Sequence, residues 1–131
     1  MRILRSIDIE EEIRLALKDY LTVYVRPLPE KFVVPSILVT ATGGQTSNEI
    51  DTFQVVLDAR AETDAEAFAL IRTAQGLLEA QSCSQFGALR HASASSLARW
   101  GTDPARPDLK LCTLTALVTV HKESFEIQEE S

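Results

Sequence analysis

Chemically versatile side chains are scarce in this chain. It has two histidines, His91 and His121, and two cysteines, Cys83 and Cys112, in 131 residues. Nucleophilic catalysis needs a nucleophile, a base and an orienting group within reach of one another. Both histidines fall in predicted strands, where pairing or surface roles account for them. The cysteines are far apart, one after a predicted helix and one inside a predicted strand. Neither spacing suits zinc, and in a reducing compartment both would stay thiols, read here as small apolar fillers. No apolar run approaches the roughly 20 residues that cross a bilayer. The start, Met1-Arg2-Ile3-Leu4-Arg5-Ser6, meets acidic residues too soon for a signal peptide, so the expected location is the cytoplasm. Positive charge is also short: thirteen basic residues face nineteen acidic ones, a net charge of −6, with no basic cluster. That balance repels a phosphate backbone and excludes nucleic acid as the main partner.

What is present is an ordinary foldable composition, 45% apolar and 24% charged, in a length that suits one domain over residues 1–131. Ile9, Ile13, Ala16, Leu17, Tyr20 and Leu21 line one face of a predicted helix from about Asp8 to Tyr20. Asp8 and Glu11 resemble a capping box, and Glu10, Glu11 and Glu12 crowd the first turn, where the helix dipole favours anions. Thr22 to Arg26 reads as an edge strand stopped by Pro27, followed by a proline loop. Ser36 to Thr42 and about Ile50 to Ala61 read as two strands, with Gly43-Gly44-Gln45-Thr46-Ser47-Asn48 as the hairpin turn between them.

In the second of these strands Phe53, Val55, Leu57 and Ala59 share a face, while Val56 puts an apolar group on the polar side. Thr63 and Glu66 cap a second helix, whose face of Ala67, Leu70, Ile71, Ala74, Leu77 and Leu78 carries it to about Ala80. Gly76 costs that helix about 1 kcal/mol relative to alanine, a cost that close packing against a strand would explain. Gly87 to Trp100 is predicted as one weakly patterned strand, then 101–108 as a proline-rich loop. Leu109 to His121 is the clearest strand, with Cys112, Leu114, Ala116, Val118 and Val120 on one face. Lys122 to Ser131 carries four glutamates and is expected to form a loose acidic tail.

These elements predict an α+β fold, a mostly antiparallel sheet of four to five strands with both helices on one face. The other face is rich in threonine and serine but holds Val56, Leu111 and Leu117, a half-apolar surface that a partner could bury.

The remaining motifs do not assemble a reaction centre. Ser93, Ser95 and Ser96 lie in an Ala/Ser stretch without the glycine-flanked elbow of a hydrolase. Gly43-Gly44 lacks the lysine and the following helix of a phosphate loop. Asp51 and Asp58, at odd spacing on one strand, point to opposite faces and cannot work as a pair. Trp100, the only tryptophan, ends a strand beside a loop and reads either as a lid on the core or as an interface anchor.

From Val34 to Ala80 the chain resembles a known family. A strand leading into Thr42-Gly43-Gly44, a strand ending Val56-Leu57-Asp58-Ala59-Arg60-Ala61-Glu62-Thr63, and a helix with Ala65-Glu66-Ala67 are similar to the tail terminator, or tail completion, proteins of long-tailed phages. An opening helix, Val25-Arg26-Pro27, the loop at 104–107 and the long last strand extend the likeness over most of the chain. One departure is Arg60, where such proteins often carry an aromatic residue. The resemblance implies a homo-oligomeric ring, a hexamer, that caps the tail tube, ends its polymerisation and joins the head. Its partners would be copies of itself, the tail tube protein and a head completion or connector protein. It would act in the host cytoplasm during assembly and then in the virion tail. It implies no cofactor, no metal and no catalytic residue.

The contacts expected to serve such a ring are the hairpin Gly43, Gly44, Gln45, Thr46 and Ser47, with Val56, Arg60, Trp100, Leu111 and Leu117. Two other readings stand beside it. One is a different neck ring protein, a head-tail connector or closure protein. The other is a small ligand-binding or enzymatic α+β domain with a site built in a dimer from His91, Arg60 and Asp58.

Overall fold

The computed structural model describes residues 1–82 and 89–129. In chain order these form β1 (Arg2–Arg5), α1 (Ile9–Leu17), β2 (Val23–Val25), β3 (Ser36–Thr46), β4 (Ile50–Ala61), α2 (Asp64–Ser82), β5 (Leu89–Ala94), β6 (Arg99–Gly101), β7 (Lys110–His121) and β8 (Glu123–Glu126). The fold is α+β. Its main sheet has six strands in the order β2-β3-β4-β7-β5, with β6 also pairing β7, and every pairing is antiparallel except β2 with β3. A separate two-stranded sheet joins β1 to β8.

β4 and β7 are the long central strands, paired without interruption from Ile50↔His121 to Ala61↔Lys110. Their alternation sorts the two faces. Val55, Leu57, Ala59 and Ala61 sit beside Ala116, Leu114 and Cys112 on the buried face, and Ile37 and Val39 extend it along β3. The helices supply the other half of this core. Ile9, Ile13 and Leu17 of α1 and Ala67, Ile71, Ala74 and Leu78 of α2 join the strand residues in one buried cluster. Both helices start as their sequences require: Asp8 Oδ1 accepts from Glu11 N–H, and Thr63 Oγ1 accepts from Glu66 N–H.

Several expectations need correction. Gly43-Gly44 is not the hairpin turn. Both glycines lie inside β3 at an irregularity between Ala41 and Gly43, with φ of +122° and +145°, and the turn falls at 47–49. The residue left unpaired is Thr42, and the two positions after it take a positive φ that only glycine adopts freely, so the same dipeptide signal serves a strand interior. Within the expected loose tail, Glu123–Glu126 is a strand that pairs with Arg2–Arg5 across the length of the chain, and the last two residues lie outside the described ones. The predicted Gly87–Trp100 strand is two strands, β5 and β6; its first two residues, like Cys83, lie outside the described residues. The sheet has six strands rather than four to five. Gly76 makes no close approach to a strand, for a Cβ built there meets nothing within 4 Å.

Leu114 and Ile71 are 1% and 0% exposed, so Leu114→Ala and Ile71→Ala should each cost about 2–5 kcal/mol in denaturant unfolding; losses under ~0.5 kcal/mol would mean the core is misplaced.

The two helix and strand glycines should respond in opposite directions. A Cβ at Gly44 would lie 2.0 Å from Thr52 O, so Gly44→Ala should lower the melting temperature. Gly76→Ala fills open space on a helix and should raise stability by about 0.5–1 kcal/mol. Equal effects from the two substitutions would contradict this placement.

Candidate assembly surfaces

The expected contact residues fall on three surfaces that meet at their margins: Gly44 and Gln45 line one cavity with Leu117, and Trp100 lines another with Leu111. The first is the hairpin of β3 and β4. Where β2 ends at Val25 the edge of β3 continues, and its next outward donor, Ala41 N–H, is taken by Glu10 Oε2 at 3.0 Å. The same oxygen accepts from Arg26 Nη2 at 2.6 Å and Nε at 3.0 Å. Burial opposes the charge on Glu10, but Arg26 and the Ala41 amide outweigh it and hold the pKa below the usual carboxylate value. Glu10 therefore ties α1, the 26–35 loop and β3 together, beyond the helix-dipole role that its sequence position suggests.

Farther out, Asp51 is 2% exposed although carboxylates are rarely buried. Thr46 Oγ1 donates to its Oδ1 at 2.5 Å. Burial raises its pKa, yet the hydroxyls of Ser6 and Thr46 and the charge of Lys122 prevail and keep it lowered. Ser6 influences the carboxyl without completing a well-formed hydrogen bond to Oδ2, which has no partner. A shallow cavity of about 210 Å³ lies here, lined by Ser6, Gly43, Gly44, Thr46, Asp51 and Phe53 among others. Thr46, although exposed like Gln45 and Ser47, is thus an anchor of the hairpin, and the Ser47 hydroxyl donates to Ile50 O at 2.9 Å.

The second surface is the sheet face opposite the core. Val56 and Leu111 are half-buried there, and Leu117 is 40% exposed. Threonines pave the rest, with Thr113 Oγ1 donating to Asp58 Oδ1 at 2.7 Å and Thr52 sharing a hydrogen bond with Thr119 at 3.3 Å. One end is closed by the 102–108 loop. Arg60 Nε donates to Asp103 Oδ2 at 3.1 Å, and both side chains are largely buried. Burial disfavours the Asp103 charge, but the Ala105 amide and the Arg60 guanidinium overcome it and lower the pKa. Arg60 and Arg106 both approach the Phe32 ring, at 6.0 and 5.5 Å. The Arg60 guanidinium fastens this loop.

The third surface is aromatic. Trp100 is 54% exposed and stacks on Phe68 of α2 with ring centroids 6.0 Å apart. Arg72 lies 4.9 Å over the Phe68 ring. The pair reaches outward from the end of the core that β6 covers.

The residues that an enzymatic reading would need are not brought together within one chain. Asp58 pairs with Thr113 and His91 with Thr119, so along β7 they are about 20 Å apart at strand rise. Among the described residues no group of three or more His, Cys, Asp or Glu is placed to hold a metal ion, and no helix is long and apolar enough to cross a membrane. Neither a protein-family model nor a curated protein matches the chain.

Asp51 and Glu10 ionise more readily in the folded chain than unfolded. Each therefore contributes stability that is present above the unfolded pKa of about 4 and is lost as pH falls through the folded value. Thr46→Val removes a hydrogen bond to a buried carboxylate and should cost about 1–3 kcal/mol at pH 7. The stability gap between Thr46→Val and wild type should narrow as unfolding is measured toward pH 3. A gap independent of pH would show that Asp51 is not held as an anion.

Proposed function

We propose that this chain is a phage tail terminator, a protein that closes into a ring on the end of the tail tube, stops its growth and offers a surface to the head. The supporting observation is that one small domain carries surfaces of unlike chemistry. A ring requires head-to-tail contact between two different patches of the same subunit. The Phe68–Trp100 stack and the threonine-paved face with Leu117 are two such patches, the first rich in the aromatic residues that anchor interfaces. The sequence likeness from Val34 to Ala80 points the same way. In this reading the hairpin and the 102–108 loop are the ends of the domain that meet the tube and the neck. Copies of the chain, the tube protein and a head completion or connector protein are its partners, and chemistry is done nowhere in it.

Trp100→Ala removes aromatic area and the stack on Phe68 but leaves the buried core intact, so the variant should still fold, with a stability loss of about 0.5–1.5 kcal/mol. It should nevertheless form rings at concentrations at least tenfold higher, equivalent to about 1.4 kcal/mol, as read by sedimentation and native mass measurement. In a phage that encodes the chain, deletion should give tails of uncontrolled length. Tails of normal length after deletion would end the terminator reading, and a tight dimer at every concentration would end the ring.

A further inference from the structure

The β1–β8 ribbon stands apart from the main sheet. Its four-residue strands pair Arg2↔Glu126, Ile3↔Phe125, Leu4↔Ser124 and Arg5↔Glu123, and neither strand belongs to the six-stranded sheet. A lone two-stranded ribbon is marginal in water, because each strand keeps one edge of unpaired backbone groups. The side chains add little cover: Leu4 is 52% exposed, Phe125 38% and Ile127 39%.

Charge divides this ribbon by strand. β1 carries Arg2 and Arg5, β8 carries Glu123 and Glu126, and within the chain they meet as Arg5 Nε to Glu123 Oε1 at 2.9 Å and Arg2 Nε to Glu126 Oε2 at 3.6 Å. Among the described residues each of the two strands leaves its outer edge without a strand partner, and these two edges belong to strands of opposite sign. Like edges brought together, β8 against β8 or β1 against β1, would set glutamates beside glutamates or arginines beside arginines, which destabilises cross-strand neighbours. Unlike edges would continue the alternation of positive and negative strands.

We propose that the occupant of the open ribbon edge is a second copy of this chain, with β1 of one copy adding antiparallel to β8 of the next. The backbone edges supply the hydrogen bonds of strand addition. The charges select the head-to-tail partner over a two-fold one, so the contact propagates in one direction and can close a ring. This rests on the ring reading above and names one contact that holds the ring.

The test uses the full chain and a charge-reversed version, Arg2→Glu, Arg5→Glu, Glu123→Arg and Glu126→Arg, which keeps both Arg–Glu pairs of the ribbon while giving up the Met1 ammonium contact with Glu126 and the Arg5 contact with the Phe125 ring. Each should assemble alone. In a mixture, an edge of one version meets a like-charged edge of the other, so native mass measurement on isotope-labelled samples should find the two sorted into separate oligomers. Statistical mixing would overturn the ribbon contact while leaving the ring intact. Absence of oligomers in both versions at every concentration would overturn the ring reading together with the proposal. If the reversed chain does not fold, Arg2→Gln with Arg5→Gln replaces it. That variant should self-associate about two- to thirtyfold more weakly than wild type, with the difference shrinking in high salt. Unchanged association would overturn the proposal.

Discussion

The register between β4 and β7 governs the rest of the molecule. Their ladder runs from Ile50↔His121 to Ala61↔Lys110 without a bulge, and a slip of one residue would turn every core side chain outward. The sequence protects this register on both strands, since Val55, Leu57 and Ala59 face Ala116, Leu114 and Cys112 while Asp58 and Thr52 find threonines across the other face. Small residues at Ala59, Ala61 and Ala116, met by Ala67 and Ala74 of α2, let the helix sit close to the sheet. Everything added to this pair, including β3, β5 and β6, hangs on one or other of its edges.

What could be read from the sequence follows from where the information lies. β4, β7 and α2 announce themselves because their own periodicity fixes which face is buried, and the caps Asp8 and Thr63 mark helix starts by local hydrogen bonds. Elements that depend on a distant partner are silent. Arg2–Arg5 and Glu123–Glu126 look like two charged ends, and nothing local in either marks it as a strand that pairs with the other. The glycine pair at 43 and 44 gives the same signal for a bulge as for a turn, so the bend was legible and its place was not.

The exposed surfaces show a similar division. Trp100, Leu117 and Val56 were identifiable because apolar groups at polar positions are conspicuous in a pattern. The anchoring roles of Thr46, Glu10 and Arg60 were not, because each depends on a partner that the fold supplies: Asp51, the Ala41 amide and Asp103. Buried polar groups of this kind set the shape of loops and hairpins more than they add to stability, since the desolvation of each charge offsets much of what its partner returns. They hold the rims of the domain, where a ring would make its contacts, in one arrangement.

The Phe68–Trp100 stack has an optical consequence. The chain possesses a single indole, and that indole stands more than half exposed at the rim of the domain instead of inside it. Its emission carries no background from a second tryptophan, so wavelength and quenching report the surroundings of one patch alone. Whatever settles over that patch writes its arrival directly into the light the protein gives off.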